Sequence, residues 1–130
     1  MSFRPLLSAT LLAVLLTVPA AAAEAQDKVY ALSEVSSPPK LAAPSAALRV
    51  IQSSYPSALK ARGVAGEVEL QFVVLPTGKV ESGSVEVLDA SIPEFADAAK
   101  GAVEKLEFVP AKVGANAVRT RVVLPIAYRP

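Results

Sequence analysis

Residues 66–80 read GEVELQFVVLPTGKV and carry the strongest structural signal of the chain. Side chains alternate between the two sides of a strand, so the apolar residues at 68, 70, 72 and 74 share one face. Apolar residues occupy both faces from Phe72 to Leu75, which is typical of a strand with a neighbour on each side. Pro76-Thr77-Gly78 favours a chain reversal. We therefore predict a central strand that leads into a hairpin.

The second strand of this hairpin is expected over Val80–Leu88. Val80 is an even position, whereas Val85 and Val87 are odd, and a Ser-Gly-Ser sequence lies between them. A side-chain period of two cannot accommodate this shift without an extra residue. The pattern therefore predicts a bulge or kink near Gly83.

Helical segments are expected before and after this hairpin. Residues 45–53 predict one or two helical turns, and residues 57–62 predict a brief helix that Gly63 ends. Ser91-Ile92-Pro93-Glu94 has the form of a capping box, with Ser91 as the N-cap and Pro93 in the first turn. The main helix that follows, of about sixteen residues, has an apolar stripe at helical spacing formed by Ile92, Phe95, Ala99, Ala102, Val103 and Leu106.

The last strand is predicted over Val118–Tyr128, where apolar and polar residues alternate. Pro125 cannot donate a hydrogen bond to a neighbouring strand. This strand is therefore expected at the edge of the sheet, at least beyond Leu124. The main helix returns the chain, so the third strand should run parallel to the second.

These elements predict an α+β fold with a small mixed sheet of three strands in the order 2-1-3, packed against two helices. In this arrangement Arg119 and Arg121 are expected opposite Glu67 and Glu69 on the solvent face, as cross-strand ion pairs. Solubilising pairs of this kind are a simpler role for the two arginines than contact with a ligand.

The amino end has the three regions of a secretory signal peptide, which we place at residues 1–25. A positive start is followed by the apolar run 6–18 and by an Ala-rich segment with A-x-A cleavage sites. An uncleaved membrane anchor is the alternative. The proline-rich residues 26–44 are interpreted as a short linker, and residues 45–130 as the folded domain.

Composition restricts the function of the 130-residue chain. Thirteen basic and twelve acidic residues give a net charge of +1, which excludes strongly electrostatic binding to nucleic acid or anionic membranes. The chain contains no Cys and no His, so it lacks Ser-His and Cys-His nucleophiles and the usual zinc ligands. No spacing points to a Ser-Lys or two-carboxylate site, and no Gly-rich loop leads from a strand into a helix. We predict a protein that is not an enzyme and has no metal or cofactor.

From about residue 50 to residue 130 the sequence resembles the carboxy-terminal domain of TonB-type energy transducers. The resemblance rests on an ordered set of short motifs: Tyr55-Pro56, Ala58, Gly63, Gly66-Glu67-Val68, Phe72-Val73-Val74, Gly78-Lys79-Val80, Phe95, Ala98-Ala99, Val103, Phe108-Val109-Pro110-Ala111, Val118 and Val123-Leu124-Pro125-Ile126.

This resemblance implies a periplasmic domain of a Gram-negative bacterium. In the family, the domain binds the short amino-terminal box of an outer-membrane receptor as an added strand and transmits force from inner-membrane motor proteins. An edge strand is a physical template for such an extended peptide. The residues expected to contact a partner are Arg119, Arg121, Val123 and Arg129. A homodimer through the same edge is a further possibility.

Three departures from the family pattern indicate a stand-alone exported domain. The chain has no anchor containing a His, and its linker reaches at most roughly 60 Å. Leu106 and Glu107 occupy positions where the family usually has Trp and a basic residue. The expected location is the periplasm, with an inner-membrane anchored form as the alternative. A structural or regulatory envelope module without an energy-transducing role is the alternative function.

Overall fold

A computed structural model describes Ala13 and residues 28–130 of the chain. Apart from Ala13, the predicted signal peptide at residues 1–25 lies outside the described residues. Within the described part, no helix has the length and apolar character needed to cross a membrane.

The described chain contains seven strands, three α-helices and one 3-10 helix. In chain order they are β1 (Val29–Tyr30), the 3-10 helix (Leu32–Glu34), β2 (Lys40–Leu41), α1 (Pro44–Ser53), α2 (Ser57–Ala61), β3 (Gly66–Val74), β4 (Glu86–Ala90), α3 (Pro93–Val103), β5 (Phe108–Val109), β6 (Ala111–Val113) and β7 (Asn116–Tyr128).

The main sheet has the order β1-β7-β3-β4, and β6 also pairs with β7. β3 lies in the centre and is antiparallel to both β4 and β7, so the predicted α+β class and the 2-1-3 order of the three principal strands are confirmed. The sheet is larger than predicted because β1 and β6 add to β7. These two strands have only two and three residues, which is too short for an alternating pattern to emerge in the sequence.

The segment 26–44, interpreted as a linker, carries three short elements from Val29 onward. Its prolines prevent long regular elements, yet its backbone pairs locally with the domain. β1 runs parallel to β7, and β2 is antiparallel to β5 in a separate two-stranded sheet. Residues 28–43 therefore lie along the folded domain.

The hairpin after β3 closes at the predicted turn. The Leu75 N–H donates to the Lys79 carbonyl at 2.8 Å, and Gly78 adopts a φ of 88°. Val80 forms a single bridge to Val74 before the chain leaves the sheet through Gly83, whose φ is 80°. The predicted kink near Gly83 is thus confirmed, and β4 begins only at Glu86.

The capping box predicted at Ser91 is wrong. The N-cap of α3 is Ile92, which makes no side-chain capping bond, and Pro93 occupies the first turn as expected. The Ser91 hydroxyl instead accepts the Glu67 N–H at 3.0 Å, and the Ser91 N–H donates to the Glu67 carbonyl at 3.0 Å. Ser91 therefore extends the pairing of β3 with the end of β4. The helix has 11 residues, fewer than expected.

The core lies between the sheet and the helices and contains Phe72, Phe95 and Phe108. At one end of the core the Phe95 ring stacks on the Tyr128 ring, with centroids 4.9 Å apart. Tyr55 packs edge-on against both rings. The Tyr128 hydroxyl lies 2.8 Å from the Ser54 hydroxyl at the end of α1. This aromatic cluster fixes the carboxyl end of β7 to the helical layer.

We expect the stability contributed by Tyr128 to be lost at alkaline pH. Burial raises the pKa of Tyr128 above its ordinary value of 10.0, partly offset by the Ser54 hydrogen bond. A raised pKa in the folded state means that the contribution is present below about pH 10 and disappears as pH rises through the folded-state pKa. Tyr128→Phe should cost about 0.5–1.5 kcal/mol near neutral pH through loss of the Ser54 bond.

Urea denaturation of both proteins from about pH 8 to about pH 12 checks this prediction. The free energy of unfolding of the wild type should fall toward that of Tyr128→Phe at the alkaline end. Parallel pH curves for the two proteins would contradict it.

Candidate functional site

The hydrogen bonds of β3 show toward which edge each residue of β7 directs its backbone N–H and C=O. The Val73 carbonyl accepts the Glu81 N–H at 2.8 Å, and the Val73 N–H donates to the Ser84 hydroxyl. Glu67 likewise directs both backbone groups to Ser91. The odd residues of β3 therefore face β4. Because neighbouring residues alternate, its even residues face β7.

The antiparallel register then fixes the orientation of β7. Gly66 pairs with Tyr128 and Val74 pairs with Thr120, so even residues of β3 meet even residues of β7. The odd residues of β7 must direct their backbone groups to its opposite edge. We call this side, from Arg119 to Ala127, the outer edge. Pro125 lies in this odd series, so its missing N–H costs no hydrogen bond to β3.

Most of the outer edge lacks a strand partner among the residues that the structure describes. β1 pairs with β7 at Arg119 and Thr120, and β6 pairs with Asn116 to Val118. Beyond Thr120 the pairings of β7 are those with β3. The N–H and C=O of Val123 and of Ala127, together with the C=O of Pro125, consequently point away from the sheet. An extended peptide is complementary to this arrangement.

Three of the four predicted partner-contacting residues lie exposed along or beside this edge. Val123 is 47% exposed, which is unusual for a valine within a sheet. Arg121 precedes it on the same face and is exposed. Arg129 follows β7 and lies 3.8 Å from Glu67, with both side chains more than three-quarters exposed. The exposed pair of Arg129 with Glu67 contributes little to stability. The head groups of Arg121 and Arg129 are therefore both accessible to a partner.

The fourth residue, Arg119, is engaged within the domain. Its guanidinium donates to the Glu81 carboxylate at the exit of the hairpin, and only 20% of the Arg119 side chain is exposed. The predicted ion pairs of Arg119 and Arg121 with Glu67 and Glu69 are wrong. Because the strands are antiparallel, Glu67 and Glu69 lie at the other end of β7, opposite Ala127 and Pro125.

The opposite edge of the sheet, formed by β4, is much less suited to pairing. β4 has five residues, and its register with β3 shifts after Asp89, which leaves Leu88 without a partner. Short and bulged edges resist the addition of another strand. The outer edge of β7 is longer and regular, so it is the stronger candidate site.

The pairing of β1 with β7 was not predicted from the sequence. Val29-Tyr30 favours a strand by composition, but two residues cannot establish a period. A Val-Tyr pair preceding the proline-rich segment is the only available signal. The contact places the amino end of the described domain against the start of the outer edge.

A concave region of the described chain lies away from this edge. A groove of about 420 Å³ lies between α1 and α3 and is lined by Arg49, Asp97 and Lys105 among small apolar residues. In the described part of the chain, no group of three or more acidic side chains is arranged to hold a metal ion.

The fold and the outer edge define a small α+β domain that exposes one regular sheet edge. A sequence profile described as Gram-negative bacterial TonB protein C-terminal matches residues 51–130. The chain therefore belongs to the TonB C-terminal domain family, whose domains are noncatalytic interaction modules.

Two solved structures illustrate the similarity. The solution NMR structure of the Pseudomonas aeruginosa TonB CTD is 23% identical, has a TM-score of 0.49, and aligns over 58% of this chain and 76% of that chain. The NMR structure of the Helicobacter pylori TonB-CTD is also 23% identical, with a TM-score of 0.41 and coverage of 65% and 77%. No curated protein sequence matches the chain significantly.

Proposed function

We propose that this protein is a periplasmic interaction module that binds an extended peptide of an outer-membrane receptor, or of another envelope protein, by strand addition at the outer edge of β7. The role is linked to transport across the outer membrane. Membership in the TonB C-terminal family supports this proposal. The single observation that carries it is the row of outward backbone groups beyond Arg121, to which no described strand is paired.

The side chains beside this row favour a particular kind of peptide. Arg121 and Arg129 are cationic and flank the apolar residues Val123, Pro125 and Ala127 on the solvent face. A bound strand would place alternate side chains next to this series. The complementary guest has β-branched residues in its centre and an acidic side chain near one end. The main-chain hydrogen bonds provide affinity, whereas the arginines provide selectivity.

A titration of the isotope-labelled protein with synthetic receptor-box peptides tests the proposed site. Amide shifts are expected at Arg121, Val123 and Ala127, and a scrambled peptide containing prolines should cause none. Shifts confined to β4 would overturn the assignment of the edge. Amino-terminal sequencing of the exported protein tests the location, because an intact Met1 in the membrane fraction would indicate an anchored form.

Arg121→Glu is expected to weaken binding of an acidic receptor-box peptide by roughly tenfold, because it replaces attraction with repulsion at the edge. Stability should change little, since the Arg121 side chain is exposed. Isothermal titration calorimetry at low and high salt measures both the loss and its electrostatic origin. Arg62→Glu, on the short loop after α2, is the matched control and should bind normally. Equal losses for the two variants would contradict a specific role of Arg121.

A further inference from the structure

Residues 28–39, here called the strap, cross the start of the outer edge. The strap contains β1 and the 3-10 helix. Val29 pairs with Arg119 and Tyr30 pairs with Thr120, in the parallel sense. Since Arg119 directs its backbone groups outward, β1 occupies the same edge that is proposed to accept a guest strand. The chain thus supplies its own short occupant for one end of that edge.

The far end of the strap is held by backbone hydrogen bonds to β6 and the turn after it. The N–H groups of Ser36 and Ser37 donate to the Lys112 carbonyl at 2.9 and 3.1 Å. The Lys112 N–H donates to the Ser37 carbonyl at 3.0 Å, and the Gly114 N–H donates to the Ser36 hydroxyl. These bonds tether the strap at a point away from the outer edge of β7.

The near end has weaker support. β1 has only two residues, and no residue of the strap is buried. Lys28 lies 3.8 Å from Glu34 in an exposed ion pair and 4.5 Å from the centre of the Tyr30 ring. Exposed contacts of this kind contribute little free energy. The near end can therefore open while the far end stays attached.

We propose that the strap is an autoinhibitory cover, and that release of β1 frees the backbone groups of Arg119 and the N–H of Arg121, which extends the accepting edge to Arg119–Tyr128. A guest strand long enough to reach Arg119 then competes with β1 for the same backbone groups. Arg119 stays in position when β1 leaves, because its guanidinium is held by Glu81, which belongs to the hairpin. This inference rests on the proposed function.

The parallel register identifies a substitution that opens the strap selectively. In a parallel pair, a residue that directs its backbone groups at the neighbouring strand forms hydrogen bonds with two residues of that strand. These two residues flank its pair mate, which is the residue opposite it in the register. The pair mate of Arg119 is Val29, so Tyr30 supplies the N–H directed at Arg119. Tyr30→Pro removes that donor. Val29→Pro places the same ring one residue earlier, where the N–H points away from β7, and serves as the matched control.

The test measures the affinity of the full chain for a receptor-box peptide of about ten residues, the span of Arg119–Tyr128 in an extended strand. Tyr30→Pro should bind this peptide roughly three- to tenfold more tightly than the wild type, because the peptide no longer displaces a closed strap. Val29→Pro should stay within about twofold. Amide exchange at Arg119 should become faster only in Tyr30→Pro.

A disulfide tests whether the far end of the strap stays attached when a peptide binds. The chain has no cysteine, and Ser37 and Lys112 exchange two backbone hydrogen bonds as an antiparallel pair. The separation of such a pair is compatible with a disulfide. The double variant Ser37→Cys/Lys112→Cys should bind the peptide within about twofold of the wild type when oxidised, because the far end stays attached whether or not the near end opens.

The two proposals fail in different ways. Equal affinities of the wild type and Tyr30→Pro would overturn the cover and leave the binding edge intact, and weaker binding by the oxidised double variant would contradict a far end that stays attached. Failure of the wild type to bind any receptor-box peptide would overturn the proposed function and the cover with it.

Discussion

Val123→Pro is expected to abolish strand addition at the outer edge while the domain stays folded. Position 123 belongs to the odd series of β7, so its N–H points away from β3 and toward the proposed guest. Proline removes this donor, and its ring prevents close approach of another backbone. Pro125 already occupies an equivalent position two residues later, which indicates that the fold tolerates the ring there. We expect receptor-box peptide affinity to fall by at least about tenfold.

Two matched variants separate this effect from a general disturbance of β7. Val123→Thr keeps the N–H and the β-branched shape, so it should retain most of the affinity. Val122→Pro removes an N–H that faces Phe72 in the middle of the β3–β7 pairing, and it should destabilise the domain by about 3 kcal/mol or more. Calorimetric titration and circular dichroism distinguish the outcomes. Normal binding by Val123→Pro would exclude strand addition at this edge.

Gly78→Ala is expected to be among the most destabilising single substitutions in the hairpin. Gly78 has a φ of 88°, where a side chain costs about 1–2 kcal/mol. A Cβ at this position would also lie 2.0 Å from the Phe108 carbonyl oxygen, which is too close for any contact. The Phe108 N–H donates to the Gly78 carbonyl at 2.8 Å, so neither backbone can move without losing this bond. Together these effects should cost roughly 3 kcal/mol or more.

Gly83→Ala isolates the contribution of the close contact. Gly83 has a similar φ of 80°, but a Cβ there would meet no atom within 4 Å. Its substitution should therefore cost only the conformational strain, about 1–2 kcal/mol. Urea denaturation of the two variants provides the comparison. Equal losses of stability would show that the approach of β5 to the turn has no energetic consequence.

Much of the fold could be predicted because its principal signals are local. The alternation in β3 and β7, the turn at Gly78 and the stripe of α3 each lie within one segment of the chain. The central place of β3 followed from apolar residues on both of its faces. Pro125 indicated an edge strand, and the structure places its missing N–H on the outer edge. Pro125, which cannot donate to a neighbouring strand, therefore indicated where the candidate site lies.

The features that escaped prediction depend on how distant segments meet. The partner of Arg119 follows from the direction and register of β7 relative to β3, and the antiparallel pairing places Glu81 rather than Glu67 beside Arg119. β1 pairs through backbone groups alone, which every residue except proline possesses, so its sequence does not specify its partner. The Ser91 hydroxyl could either cap α3 or bond to the sheet, and in the structure it accepts the Glu67 N–H of β3.

The nine consecutive pairs between β3 and β7 also determine how the domain bears mechanical load. Hydrogen bonds in an antiparallel pair run perpendicular to the strands. Tension applied to a docked peptide along the axis of β7 is therefore distributed over all nine pairs in shear, whereas tension across the sheet would unzip them one at a time. The stacked rings of Phe95 and Tyr128 secure the last of these pairs, so the strand proposed to bind the peptide is anchored where separation from β3 would otherwise begin.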